Sequence, residues 1–231
     1  MKSSIITSLQ VTAMMFIAVL SISQGNAQGV SQVGNNSIFK YMGLEASFGV
    51  RNFTLESDIA ELQQLKIMEE GGAAAFIFGN NFSRIAAKVG LYYSTAGTKR
   101  TIDQLELELN ANIYLLKALR IPAEKADIYF LTGFSNQYLK FFGHYIGEDE
   151  RANNNGGSGR EPYLGKISTS NINLGLGIEY RLQAEREFIH FFAEGKTIFE
   201  VSSAANIAPF SNTSVEDFYT INVGVRFGRI K

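Results

Sequence analysis

Two histidines are the side chains of this sequence best suited to acid–base chemistry. His144 opens a long polar segment that also holds Glu148, Asp149 and Ser158, and His190 lies in an aromatic run. A histidine activates a nucleophile when a serine and a carboxylate lie within hydrogen-bond reach. No serine has the spacing that would bring it beside His144 on neighbouring strands, so we predict no catalytic residue and interpret the chain as a non-enzyme.

Metal ions, cofactors and nucleic acids are not predicted as ligands either. The acidic run GEDE at 147–150 lacks the ordered ligand spacing of a calcium loop and is typical of a solvated loop. The chain has no cysteine, which removes thiolate ligands and nucleophiles. With 21 basic and 22 acidic residues and no basic tract, it also lacks the charge pattern of a nucleic-acid-binding protein.

Charged side chains recur instead at every second residue of apolar segments. In TIDQLELELNANIYLLK (101–117), Glu106 and Glu108 share one parity with amides, and leucines dominate the other. Such alternation with period two predicts a β-strand. Clear alternation marks five segments, and three blurred ones complete a set of eight: 39–53, 84–94, 101–117, 171–182 and 218–227, with 72–79, 125–142 and 187–200.

The fold class that these segments predict is all-β, an eight-stranded antiparallel up-and-down transmembrane β-barrel. The apolar parity then faces lipid and the polar parity faces the lumen. Closure leaves no unpaired strand edge in the membrane, and longer and shorter connections broadly alternate, as in outer-membrane barrels. A soluble lipocalin-like barrel, with the apolar parity enclosing a ligand, is the alternative that this alternation of loops disfavours.

Five acids and five bases fall on the inward parity of the predicted strands. Unpaired buried carboxylates would each cost several kcal/mol, so balanced charge predicts a lumen filled by paired side chains. An ion-selective channel would present one sign of charge. The predicted lumen charge network is Glu45, Arg51, Lys88, Glu106, Glu108, Glu179, Arg181, Glu194, Lys196 and Arg226.

The N-terminal segment predicts export. Lys2 precedes an apolar run from Val11 to Ile22, and small residues precede a cleavage site after Ala27. We expect residues 1–27 to be a cleaved signal peptide and residues 28–231 to be the barrel domain.

The first long connection predicts a short amphipathic helix. Asp58 is placed as an N-cap with Glu61 three residues later, and Gly71 or Gly72 ends the pattern. Between them, apolar residues recur at helical spacing, namely Ile59, Leu62, Leu65 and Met68.

An aromatic girdle is predicted by tyrosines that lie within or near the ends of the predicted strands, such as Tyr41, Tyr92, Tyr93, Tyr114, Tyr180 and Tyr219.

Three segments carry a resemblance to a known family. NLGLGIEYRL, FFAEGKTIFE and the closing FYTINVGVRFG resemble the second half of the small outer-membrane β-barrel proteins of the OmpA-like or porin-family superfamily, especially those of Bacteroidetes-type bacteria. The resemblance implies the outer membrane of a Gram-negative bacterium. It also implies a C-terminal strand that the barrel assembly machinery reads, here Tyr219, Ile221, Val223, Val225 and Phe227.

Members of that family anchor membranes, adhere to hosts, evade host defence or modify lipids. We therefore expect a structural or surface-interaction role through the extracellular loops, with outer-membrane lipid, lipopolysaccharide and a surface or host protein as partners. Narrow porin-like transport of small solutes is the alternative, followed by a lipid-modifying enzyme.

Overall fold

The computed structural model describes residues 39–56, 65–96, 99–122, 125–142, 163–184, 187–205 and 214–230. Most of these residues are in strands, and none of the described helices is long and apolar enough to cross a membrane. The elements are β1 Tyr41–Glu56, β2 Leu65–Gly79, β3 Ser83–Ala96, β4 Lys99–Tyr114, α1 Leu115–Ala118, β5 Ala126–Phe142, β6 Tyr163–Ala184, β7 Glu187–Ala205 and β8 Ser214–Ile230.

Each strand pairs antiparallel with the strands before and after it, and β8 pairs with β1 to close a barrel. The predicted eight-stranded up-and-down architecture is therefore confirmed. Closure satisfies the backbone groups of what would otherwise be two edge strands.

Period-two alternation decides which residues face the lumen. On β4, Leu105 and Leu107 are exposed on the outer face, whereas Glu106 and Glu108 are buried inside. β5, which alternates only weakly in hydrophobicity, alternates strictly in burial from Asp127 to Phe141.

The barrel has two unlike ends. At the turn end, residues 80–82, 115–125 and 185–186 connect the strands; at the loop end, 57–64, 97–98, 143–162 and 206–213 do so. The register shifts within the strand ladders lie toward the loop end, at Asn52/Thr54, Ser94/Thr95, Phe141/Phe142 and Ser170/Asn171.

The predicted helix of the first connection is wrong over residues 65–71, which begin β2. Pairing with β1 sets Ile67 opposite Phe53 and Glu69 opposite Arg51. Ile67 and Glu69 thereby enter the lumen, a burial that a surface helix would not provide. Residues 57–64, like the predicted signal peptide and His144, lie outside the described residues.

A buried apolar cluster occupies the lumen toward the loop end, where the sequence predicted only polar contents. It draws residues from seven of the strands near their loop-facing ends, and the rings of Phe53 and Phe218 lie 5.1 Å apart. Burying a large apolar side chain stabilises a fold by about 1.5–3 kcal/mol. This loop-end cluster is Phe53, Leu55, Ile67, Ile102, Leu139, Phe141, Ile167, Ile198, Val215 and Phe218.

Inward glycines make room for aromatic rings in the lumen. A Cβ atom at Gly177 would overlap the ring of Tyr129, and one at Gly224 would meet the ring of Phe192. The Tyr129 hydroxyl is itself held, since it donates to Glu194 (3.0 Å) and accepts from Arg226 (3.1 Å).

We expect Gly177→Ala to lower the free energy of unfolding by about 1–3 kcal/mol, because overpacking displaces a ring fixed by two hydrogen bonds. Urea titration of the refolded protein in lipid vesicles measures it. The matched control is Gly195→Ala on the outer face of β7, where the new Cβ would lie 4.0 Å from the Thr220 carbonyl oxygen, an ordinary contact distance. Equal losses in both variants would contradict this account.

Candidate functional site: the charged lumen

The ten charged residues proposed for the lumen all lie inside the barrel. Nine are almost completely buried, and the tenth, Arg181, lies near the turn end with a mostly buried side chain. They form two connected groups, one toward the turn end and one toward the loop-end cluster.

Arg226 of β8 is the centre of the turn-side group. Its Nε donates to Glu45 at 2.6 Å and its Nη1 donates to Glu179 at 2.9 Å. Its Nη2 lies 3.4 Å from Glu194, and the guanidinium carbon lies 3.5 Å from the centroid of the Phe192 ring. One arginine on β8 therefore contacts carboxylates of β1, β6 and β7.

Glu179 of β6 collects the bases of the turn end. Arg84 Nη1 donates to it at 2.6 Å and Arg181 Nε donates to it at 2.9 Å, while His190 Nδ1 lies 3.1 Å away. Arg181 also bonds Asp127 through Nη2 at 2.9 Å. At least three positive side chains surround this carboxylate. The arrangement therefore does not suit a carboxylic acid that donates a proton in a reaction.

Lys88 of β3 joins the turn-side group to the middle of the lumen. Its ammonium lies 2.9 Å from Glu45 of β1 and 3.1 Å from Glu194 of β7, the strand opposite β3 in the barrel. Arg226 also contacts both of these carboxylates, so two acids and two bases alternate in a connected set of four side chains.

The loop-side group is built on two acids of β4. Arg51 pairs with Glu106, and Lys196 pairs with Glu108. Gln137 donates to Glu106 at 3.1 Å, and the guanidinium carbon of Arg51 lies 3.2 Å from the centroid of the Tyr92 ring. The cation is thus held by a carboxylate and by the face of an aromatic ring.

Three charged residues of the lumen were missed by the sequence analysis: Glu69, Arg84 and Asp127. Arg84 shares the parity of Lys88, and Asp127 shares that of Ser135, so the period-two pattern could have placed both residues in the lumen. Glu69 was missed because it lies in the segment that the sequence predicted to be a helix. With them, the described lumen holds seven carboxylates and six bases.

Glu69 is the least well paired of the seven carboxylates. It is 1% exposed, and its Oε1 has no hydrogen-bond partner among the described residues. With its amide turned so that nitrogen faces Glu69, Gln104 links that carboxylate to Arg51, which donates to the Gln104 oxygen at 2.7 Å.

Three predicted girdle tyrosines lie on the lumen side instead. Tyr92 stacks on Arg51, and Tyr114 accepts from Arg84 at 2.6 Å. Tyr41 packs against Phe188, with 5.3 Å between the ring centroids. The girdle prediction is wrong for these three, because their parity places them inside, whereas the other three, Tyr93, Tyr180 and Tyr219, are exposed on the outer face.

The C-terminal strand presents its apolar parity outward. Tyr219, Ile221, Val223 and Phe227 are exposed, and Val225 is half-buried. Their opposite parity carries Thr220, Asn222 and Arg226 into the lumen.

The geometry of the lumen suits charge neutralisation better than metal binding. No group of three or more His, Asp or Glu side chains in the described part of the chain is arranged to hold a metal ion.

No family model and no curated protein sequence matches the chain. Among solved structures it is similar to Neisserial surface protein A, at 10% identity and a TM-score of 0.50 over 82% of this chain and 96% of that one. The N-terminal β-barrel domain of Pseudomonas aeruginosa OprF (15% identity, TM-score 0.40, 82% and 98% covered) and Yersinia pestis Ail (13%, 0.36, 81% and 97%) are also similar. The first likeness shows a shared barrel fold.

We expect Arg226→Met to lower the free energy of unfolding by about 3–5 kcal/mol, because it leaves Glu45 and Glu179 buried without one of their cations. Urea unfolding in vesicles, monitored by the mobility of the folded and unfolded protein on a gel, gives this free energy. Arg229→Met, three residues later on the exposed side of β8, is the control and should change it by less than about 0.5 kcal/mol. A loss below 1 kcal/mol for Arg226→Met would contradict a tightly coupled network.

Proposed function

We propose that the protein is an integral outer-membrane β-barrel whose side-chain-filled lumen does not conduct, and that it acts through its loops as a structural or surface-interaction protein. The observation that carries this proposal is the distribution of polar and apolar side chains, which is inverted relative to that of a water-soluble protein. Large apolar side chains are exposed on the outer face, with Leu91 at 64% and Ile221 at 62%, while the charged residues described above are inside. In water this outer face would be a large aggregation-prone surface.

The height of the apolar surface fits a membrane. On β6 the outward residues are apolar from Ile172 to Leu182. The ten steps from residue 172 to residue 182, at about 3.3 Å each and tilted by about 40°, span about 25 Å, which is the height of the apolar band of outer-membrane barrels.

Polar outward residues border this band. Toward the loop end, Lys140 of β5 and Lys166 of β6 are directly opposite each other and exposed. Toward the turn end, Glu187 and Arg229 are exposed and opposite each other across β7 and β8. Headgroup regions accommodate such charges, whereas the hydrocarbon core does not.

The contents of the lumen support a barrel that is closed to solutes. The ion pairs cross the lumen between distant strands, and the loop-end cluster packs apolar side chains above them. No observation on the described residues favours the narrow transport alternative. We likewise assign no reaction to the protein.

The partners we propose are outer-membrane lipid and lipopolysaccharide, a surface or host protein, and the barrel assembly machinery. The outward apolar parity of β8 supports the last of these, because such a strand is accessible from the membrane side. A surface role is in keeping with the name of Neisserial surface protein A, whose fold the chain shares.

We expect the refolded protein to migrate faster on a gel when unheated than when boiled, and to give no conductance steps in a planar bilayer. A closed barrel resists detergent denaturation until heated, and a filled lumen leaves no path for ions. Heat-dependent mobility with discrete conductance steps would support transport instead. Full solubility in buffer without a mobility shift would overturn the membrane assignment.

A further inference from the structure

The connection between β4 and β5 differs from residues 80–82, the other described connection of the turn end, in exposing large apolar side chains. We define the α1 turn as residues 115–122. Leu119 is 69% exposed, more than any other large apolar side chain in the described part of the chain, and Ile121 is 47% exposed. Neither side chain belongs to a buried cluster of the lumen.

Backbone hydrogen bonds fix the positions of both residues. Leu119 N–H donates to the Leu115 carbonyl at 2.9 Å, and Ile121 N–H donates to the Leu116 carbonyl at 2.8 Å. Arg120 N–H donates to the Lys117 carbonyl at 3.1 Å. The last two bonds form the Schellman motif that ends many helices. Leu119 and Ile121 are therefore held by ordered backbone.

Arg120 occupies the position of this motif that usually holds glycine. Its φ of 59° is left-handed, where a Cβ atom is unfavourable. An arginine at this position therefore supplies an exposed cation at the expense of backbone stability. Lys125, also exposed, adds a second cation at the start of β5.

The strands that flank the α1 turn carry exposed apolar residues on their outer face close to the turn. Ile128, near the start of β5, is exposed on that face, and Ile113, at the end of β4, is partly exposed there. An ordered segment with exposed apolar residues beside cations matches the interface of a phospholipid leaflet, where hydrocarbon and phosphate lie a few ångströms apart.

We infer that the α1 turn is a membrane anchor: Leu119 and Ile121 enter the leaflet on the turn side of the barrel, and Arg120 and Lys125 bind the phosphates of anionic phospholipids. This inference rests on the proposed membrane location. To that proposal it adds the class of lipid bound, the leaflet in which the lipid lies and the residues that contact the lipid.

The chain contains no tryptophan, so a single introduced indole reports its own surroundings. The first experiment compares Leu119→Trp with Ile128→Trp, each folded into phospholipid vesicles. Brominated acyl chains quench an indole that lies in the leaflet, whereas iodide quenches one that lies in water. We expect brominated lipid to quench both variants and iodide to quench neither strongly.

Two other outcomes would overturn the inference in distinguishable ways. If brominated lipid quenches Ile128→Trp and only iodide quenches Leu119→Trp, the α1 turn projects into water or toward a soluble partner while the membrane location stands. If neither variant is quenched by lipid, the proposed membrane location fails as well.

The second experiment tests the headgroup contact. Brominated anionic phospholipid and brominated zwitterionic phospholipid are each added at the same low fraction to vesicles of Leu119→Trp. We expect the relative affinity for the anionic lipid to be about fivefold higher, equivalent to about 1 kcal/mol for a basic side chain at an anionic surface. Equal quenching by the two lipids would overturn the phosphate contact.

The control variants separate charge from backbone conformation. Leu119→Trp combined with Arg120→Gly or with Arg120→Asn keeps a residue that tolerates the left-handed φ. Both should lower the preference for anionic lipid while the indole stays quenched by brominated chains. An unchanged preference in both would show that Arg120 does not bind the phosphate.

Discussion

Pairing of β8 with β1 divides the strand residues into two sets, because a closed ladder offers each side chain only a lumen or an outer face. Every second residue of a strand must then fit the narrow lumen, and the alternate residues must suit the environment outside the barrel. The outer face can be apolar over the height of the membrane band because the interior takes up most of the charge of the strands.

The ion pairs of the lumen also specify how the strands are aligned. Arg84 of β3 reaches Glu179 of β6, and Arg51 of β1 reaches Glu106 of β4. A slip of one residue would carry either partner to the outer face. A buried pair contributes little net stability relative to apolar packing, and we interpret these pairs as selecting one register of the strands and one cross-section of the barrel.

Period two in the sequence predicted five strands clearly, and three blurred segments completed the set of eight that the structure shows. The ten charged residues proposed for the lumen are all placed inside. The strand ends were harder, since β2 begins at Leu65 in a segment whose apolar spacing also fits a helix. Only pairing with β1, a contact between residues distant in sequence, decides between the two. The loop-end cluster was missed for the same reason: Phe53, Ile102 and Leu139 look like ordinary strand residues until closure brings them together.

The described members of the loop-end cluster are all strand residues. Side chains from seven of the eight strands therefore form an apolar layer between the charged network and the loop end. Displacement of any one of these strands along the barrel wall would disturb that layer and the ion pairs together. The two layers of the lumen, one apolar and one charged, thus share a single determinant, the alignment of the strands.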